Sequence, residues 1–157
     1  MGVYIGIDPG LASVGYGIVK QEGSAICSLS YGVIETSSAE DQVGRFITIF
    51  NGISEQCRRY KPTIGGVETL YFAKNVTSAL PVAQARGVIL LALGLQGIEV
   101  REFTPNQIKA TVLGSGKADK GQVQRMVQII LGLQDIPKPN HAADALAAAI
   151  ACTGAVL

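Results

Sequence analysis

The chain has a single histidine and only three cysteines, and Cys27, Cys57 and Cys152 are widely separated, odd in number and without CxxC spacing. Those shortages exclude a conventional zinc site and a disulfide framework. Charge is scarce as well: 16% of residues are charged and the net charge is +1. That is far from the basic balance of a dedicated nucleic-acid binder. A modest total can still conceal an electropositive site, because two divalent cations held by an acidic cluster would bring the net charge to about +5. Long apolar runs are missing too. Gly87 to Leu95 is short, and the alanine-rich tail carries Asp144. No basic segment precedes an apolar stretch at the start, so the chain is expected to be neither secreted nor membrane-spanning, and its thiols reduced, mostly buried and cytosolic.

What is present argues for a compact α/β enzyme. Of the 157 residues 48% are hydrophobic, and 19 glycines are scattered between periodic segments. No stretch reads as a linker, so residues 1–157 are expected to form one domain, which at this length buries about two thirds of its unfolded surface.

The organising stretch is VYIGIDPGLASVGYG, from Val3 to Gly17. Val3, Ile5 and Ile7 alternate with Tyr4, Gly6 and Asp8, so a strand of period two puts Asp8 opposite the aliphatics, with its carboxylate free of the core. Pro9 and Gly10 end the strand, although Asp-Pro-Gly is also a common turn. Gly15 and Gly17 leave room for a close backbone or a ligand. Tyr16 to Lys20 then reads as a second strand, Glu22-Gly23 as a hairpin turn, and Ala25 to Glu35 as a third strand.

Ser38 to Asp41 resembles a capping box, and Val43, Phe46, Ile47, Phe50, Ile53, Cys57 and Tyr60 follow at helical spacing until Pro62. Thr63 to Glu68 reads as a strand reached by a crossover and parallel to the first. Glu68 then ends its strand as Asp8 ends the first, and carboxyl ends of neighbouring parallel strands converge on the crevice where such sheets bind ligands. A long helix from Thr77 or Ser78 to Gln96, with Pro81 in its first turn, is apolar on more than one face. Either it is central to the domain or it forms a twofold dimer interface, the reading favoured here.

Ile98 to Phe103 is expected as a fifth strand, completing a mixed sheet in which an antiparallel meander is followed by two parallel strands, with helices flanking it. Thr104, Pro105 and Gln107 make a good helix start. The glycine loop from Gly114 to Lys117 breaks that helix, and Lys120 to Leu131 forms the next, stopped by Gly132. The loop lacks the spacing of a nucleotide P-loop. Asn140 is expected to cap a final helix, His141 to Ala151, on which His141 and Asp144 share a face about 5 to 6 Å apart at Cβ and can grip one ion.

Together GIDPGLASVGYG, VET with LYFAKN, AQARG, QIKATVLGSGKADKGQVQ and HAADALA, in this order along nearly the whole chain, resemble the RuvC family of Holliday-junction resolvases. The resemblance implies an RNase H-like fold, a homodimer, and a Mg²⁺- or Mn²⁺-dependent endonuclease that nicks two opposed strands of a four-way DNA junction, working with the RuvA and RuvB branch-migration proteins. It also implies Asp8, Glu68 and Asp144 as catalytic acids, with His141 in a fourth position where many members carry an acid and others histidine. Lys109, Lys117 and Lys120 match DNA-facing basic positions. Tyr71, Phe72 and Lys74, just beyond Glu68, would also meet DNA, the aromatics by stacking or wedging at the crossover.

Phosphodiester hydrolysis gives an independent reason for this set. Two divalent ions about 3.5 to 4 Å apart can activate a water and neutralise the phosphate, and hard carboxylate oxygens suit Mg²⁺ or Mn²⁺. In this scheme Asp8 bridges the ions, Glu68 and Asp144 hold one each, and His141 ligates or orients the water. Two other classes are open to test. The strand-Asp-turn-Gly start also resembles actin-like ATPases, which need a second domain that this length cannot supply, and a non-catalytic junction-binding module would have no reason to retain all the donors.

Overall fold

The computed structural model describes residues 1–69 and 76–154. The expected mixed sheet is present. Strands β1 (Gly2–Asp8), β2 (Ser13–Glu22) and β3 (Ala25–Glu35) form the antiparallel meander, and β4 (Ile64–Glu68) and β5 (Glu99–Phe103) run parallel to β1. The order β3-β2-β1-β4-β5 puts β1 at the junction between the antiparallel and parallel halves. Helices α1 (Gln42–Tyr60) and α2 (Val76–Leu95) cover one face. The other is covered by α3 (Pro105–Leu113), α4 (Lys120–Leu131) and α5 (Asn140–Cys152).

The alternation in β1 sorts the two cores. Ile5 and Ile7 lie with Val14, Ile18 and Val67 against Ile49 and Ile53 of α1 and Ile89 and Leu93 of α2. On the opposite face Val19 and Ile26 meet Ile108, Val123, Leu146 and Ile150. Asp8 does point away from the aliphatics, but the face it points to is not open, because α5 lies across it. Gly6 and Gly15 explain how. A Cβ on Gly6 would come within 1.9 Å of the Ala145 carbonyl oxygen, and one on Gly15 within 2.1 Å of that of His141. The room these glycines leave is taken by a helix backbone, not by a ligand. Helix α5 reciprocates with small side chains, burying Ala142, Ala145, Ala148 and Ala149. Strand β2 also begins earlier than expected, since Gly15 pairs with Asp8 and extends the ladder.

Local signals decided most helix ends. Thr104 and Gln107 close a reciprocal capping box on α3, Asp119 and Gln122 do the same on α4, and Gly114 and Gly132 end these helices in the left-handed conformation. Two expected caps are displaced. On α1 the cap is Asp41, whose Oδ1 accepts from the Gly44 amide, rather than Ser38, so the box read there is one turn early. On α5 the chain enters through Pro139 without a side-chain cap, and Asn140 instead accepts a bond from Gln124 of α4. The apolar stripe of α1 divides as well: Ile53 and Cys57 are buried, whereas Val43 and Ile47 face outward.

Helix α2 is long and apolar enough by length and composition to cross a membrane. It nonetheless packs on α1 and places Ala85, Ile89, Ala92 and Leu93 in the core, while Leu80, Leu91 and Leu95 are exposed. Pro81 is its sixth residue, past the first turn, so the Thr77 carbonyl loses its helical donor. All three cysteines are free; Cys57 and Cys152 are buried, and burial raises their thiols to about 11 and about 12, while Cys27 is exposed.

Candidate active site

Register builds the acidic pair. Ile7 of β1 lies beside Val67 of β4 in the parallel ladder, so Asp8 and Glu68, one residue further on, leave the sheet side by side. Beyond them the Thr69 amide donates to the Phe103 carbonyl at 2.8 Å, which keeps the end of β4 bound to β5. An ion pair between Arg86 of α2 and Glu102 of β5 braces the same edge at 2.8 Å.

The start of α5 supplies the other donors, His141 in its first turn and Asp144 just beyond it. His141 Nδ1 is 2.7 Å from Asp8 Oδ2, so an ionised Asp8 accepts from Nδ1–H and the other ring nitrogen, Nε2, is left out of this bond. From Ala142 to Cys152 every residue is buried except Asp144, which faces the same site. Ligand atoms of Asp8, His141 and Asp144 all lie within 4.8 Å of one another. Glu68 stands outside that triplet and shares with Asp144 a cavity of about 310 Å³, whose wall includes Ile108, Lys109, Lys120 and Val123. All four expected donors are therefore brought to one place, in two subgroups.

Such crowding has an electrostatic signature. Burial raises the proton affinity of Asp8, opposed by the bond from His141 and reinforced by Asp144. Glu68 is pushed up to about 7, by burial first and then by the charges of Asp8 and Asp144, with Lys120 and Lys109 pulling the other way. Carboxylates that repel one another in a partly dry pocket are what a divalent cation relieves. Their hard oxygens fit Mg²⁺ or Mn²⁺.

The Glu68 shift carries a stability prediction. A carboxyl whose folded-state pKa is raised contributes stability that is present below its unfolded value and is lost as pH rises through the folded one, here from about 4.5 to about 7. With chelator present, Glu68→Gln should therefore match the unaltered chain near pH 4.5 and exceed its Tm by roughly 5 °C at pH 8. A constant gap across that range would contradict the assignment.

Lys109 lines the cavity and Lys117 is exposed in the turn between α3 and α4. Lys120 does something its sequence position does not suggest. Its Nζ lies 3.0 Å from Asp144 Oδ2, so it belongs to the acidic group itself. The two residues sit on different helices, and no spacing rule connects them. Tyr71, Phe72 and Lys74 lie outside the described residues.

Two acids from adjacent parallel strand ends, completed by a helix laid across the face of the five-stranded mixed sheet to which they point, define the class: a nuclease of RNase H-like fold. The model of a family described as crossover junction endodeoxyribonuclease RuvC matches residues 4–152. The chain is 53% identical over 146 residues to the RuvC of Treponema denticola, covering 93% of this chain and 82% of that one. It is 48% identical over 150 residues to the RuvC of Heliobacterium modesticaldum, covering 96% and 93%. Among solved structures it superposes on Thermus thermophilus RuvC with a TM-score of 0.89 at 36% identity, covering 95% of this chain and 92% of that one. For T. thermophilus RuvC in complex with Holliday junction substrate the TM-score is 0.91 at 35% identity, covering 96% and 92%. The chain belongs to the RuvC family of crossover junction endodeoxyribonucleases.

Proposed function

We propose that this protein is a cytoplasmic, metal-dependent Holliday-junction resolvase that hydrolyses one phosphodiester in each of two opposed strands, with Asp8, Glu68, His141 and Asp144 as its catalytic and metal-holding residues. The observation that carries the reading is the register of β1 on β4, which sets Asp8 and Glu68 abreast while α5 brings His141 and Asp144 to the same point.

Asp8, His141 and Asp144 would hold one divalent ion, and Glu68, beside Asp8 at the strand ends, would help to hold a second. A bound pair of Mg²⁺ or Mn²⁺ supplies Lewis-acid activation of the phosphate and of the attacking water. The protein's part is positioning. Asp8 orients the imidazole through Nδ1, so that Nε2 is available to a cation or to the water. The sheet ladder holds Asp8 and Glu68 in fixed relation, and the apolar wall of Ile108 and Val123 limits bulk water on one side of the cavity.

Lys109 and Lys117 would contact phosphates. Replacing either with alanine is expected to weaken junction binding and to reduce the slope of log affinity on log salt by about one unit, with no change for a merely solvated lysine. Paired nicks call for two sites, and the outward Leu80, Leu91 and Leu95 of α2 offer an apolar face for a second copy. Sedimentation should find a dimer, and Leu91→Glu should yield monomers that nick without pairing the cuts. Cooperation with RuvA and RuvB is carried over from the family.

The deciding experiment incubates the protein with Mg²⁺ and a synthetic four-way junction, with linear duplex as control. Symmetrical nicks in the junction alone support the proposal. Binding without cleavage indicates a non-catalytic module, and equal cutting of duplex indicates a nuclease without junction selectivity.

A further inference from the structure

Lys120 is the first residue of α4, and its backbone is held firmly. The Asp119 and Gln122 side chains bond each other's amides at 2.8 and 2.9 Å, and Gln124 donates to Asn140 of α5 at 3.2 Å. The start of α4 is thereby fixed against the first turn of α5, directly before Asp144. The Lys120 ammonium sits 3.0 Å from Asp144 Oδ2, on a side chain that is 57% exposed. Asp144 also belongs to the triplet whose donor atoms lie within 4.8 Å of one another. One carboxylate therefore serves both a lysine and the group suited to a divalent ion.

We propose that Lys120 is an internal competitor for that ion: its ammonium and a divalent cation are alternative partners of Asp144, so that loading the cation releases Lys120 into the cavity beside Lys109. The inference rests on the metal-site reading above. Its physical basis is that Lys120 also acts at range on the other acids, favouring the ionised forms of Asp8 and Glu68. A monovalent charge among three carboxylates relieves part of their repulsion and thereby lowers what a divalent ion gains by binding. Once released, the ammonium stands in a cavity already lined by Lys109, where a DNA phosphate is its natural partner. A phosphate that draws Lys120 from Asp144 raises cation affinity, and by reciprocity the cation raises affinity for the phosphate.

The test is Mn²⁺ binding to the whole protein without DNA, measured by titration calorimetry or by the loss of the free-ion paramagnetic signal. Lys120→Met, which keeps the stem and removes the charge, should bind Mn²⁺ about threefold to fivefold tighter at low ionic strength, and the gap should narrow with added salt. Lys120→Arg, which keeps the charge, should stay within about twofold of the unaltered chain, on the same scale. Equal or weaker binding by Lys120→Met, in a variant whose Tm shows it folded, overturns the competition. Asp144→Asn separates this result from a failure of the metal reading. If the unaltered chain shows no saturable Mn²⁺ binding that Asp144→Asn diminishes, the metal site falls and the competition falls with it.

Discussion

Asp8→Asn should lose junction cleavage by about a thousandfold or more while binding the junction as the unaltered chain does. The substitution changes little else. The amide oxygen of asparagine still accepts from His141 Nδ1, now 2.7 Å from Asp8, so the tie between β1 and α5 survives. The side chain keeps its volume beneath α5, and the strand keeps its pairing with Gly15. What is removed is one negative charge from the group it forms with His141 and Asp144, beside Glu68 at the strand ends. Removing that charge also lowers the proton affinity of Glu68, which the Asp8 charge helps to raise, so the pH at which Glu68 ionises should fall in the variant. A folded Asp8→Asn protein that cleaves normally would remove Asp8 from the centre of the mechanism. One that has lost junction binding as well would show that Asp8 organises the DNA-facing surface.

The legible parts of this chain are those whose cause lies within a few residues. Asp8 and Glu68 could be placed because alternation and a following breaker mark where a strand ends and which way its last side chain points. The starts of α3 and α4 could be placed because Thr104 with Gln107 and Asp119 with Gln122 are bonded across three residues. The same local logic misassigned Asn140, since an asparagine at a helix start has two possible partners and the structure spends it on Gln124, sixteen positions back. Gly6, Gly15 and Gly17 were equally visible, but nothing local says whether a glycine makes way for a ligand or for a helix. Which one occurs is settled by α5, more than a hundred residues further along. The Lys120 to Asp144 contact belongs to the same kind, set by how two helices cross.

The small residues of the sheet are thus part of the catalytic geometry, and Gly15→Ala is where this should show most sharply. A Cβ there would stand 2.1 Å from the carbonyl oxygen and 2.5 Å from the carbonyl carbon of His141, with the His141 Cβ at 3.0 Å. These atoms belong to the first turn of α5 and cannot swing aside as a flexible side chain can. On the other side Gly15 is held in the ladder opposite Asp8, so the strand cannot easily retreat. The helix start must rise, carrying His141 away from Asp8 and shifting Asp144, three residues further along the same face. Overpacking of this kind costs about 1 to 3 kcal/mol of stability, and a displacement near 1 Å among positioned groups costs roughly a hundredfold in rate. The expected result is a protein that is folded at assay temperature, with a lowered Tm, near-normal junction binding and cleavage reduced by about a hundredfold. Because every donor is still present, raising Mg²⁺ should recover part of the loss, which it cannot do for Asp8→Asn. Unchanged cleavage and Tm would mean that α5 rides freely over the sheet, and that its close approach at Gly15 is not what brings His141 and Asp144 to the acids of the strands.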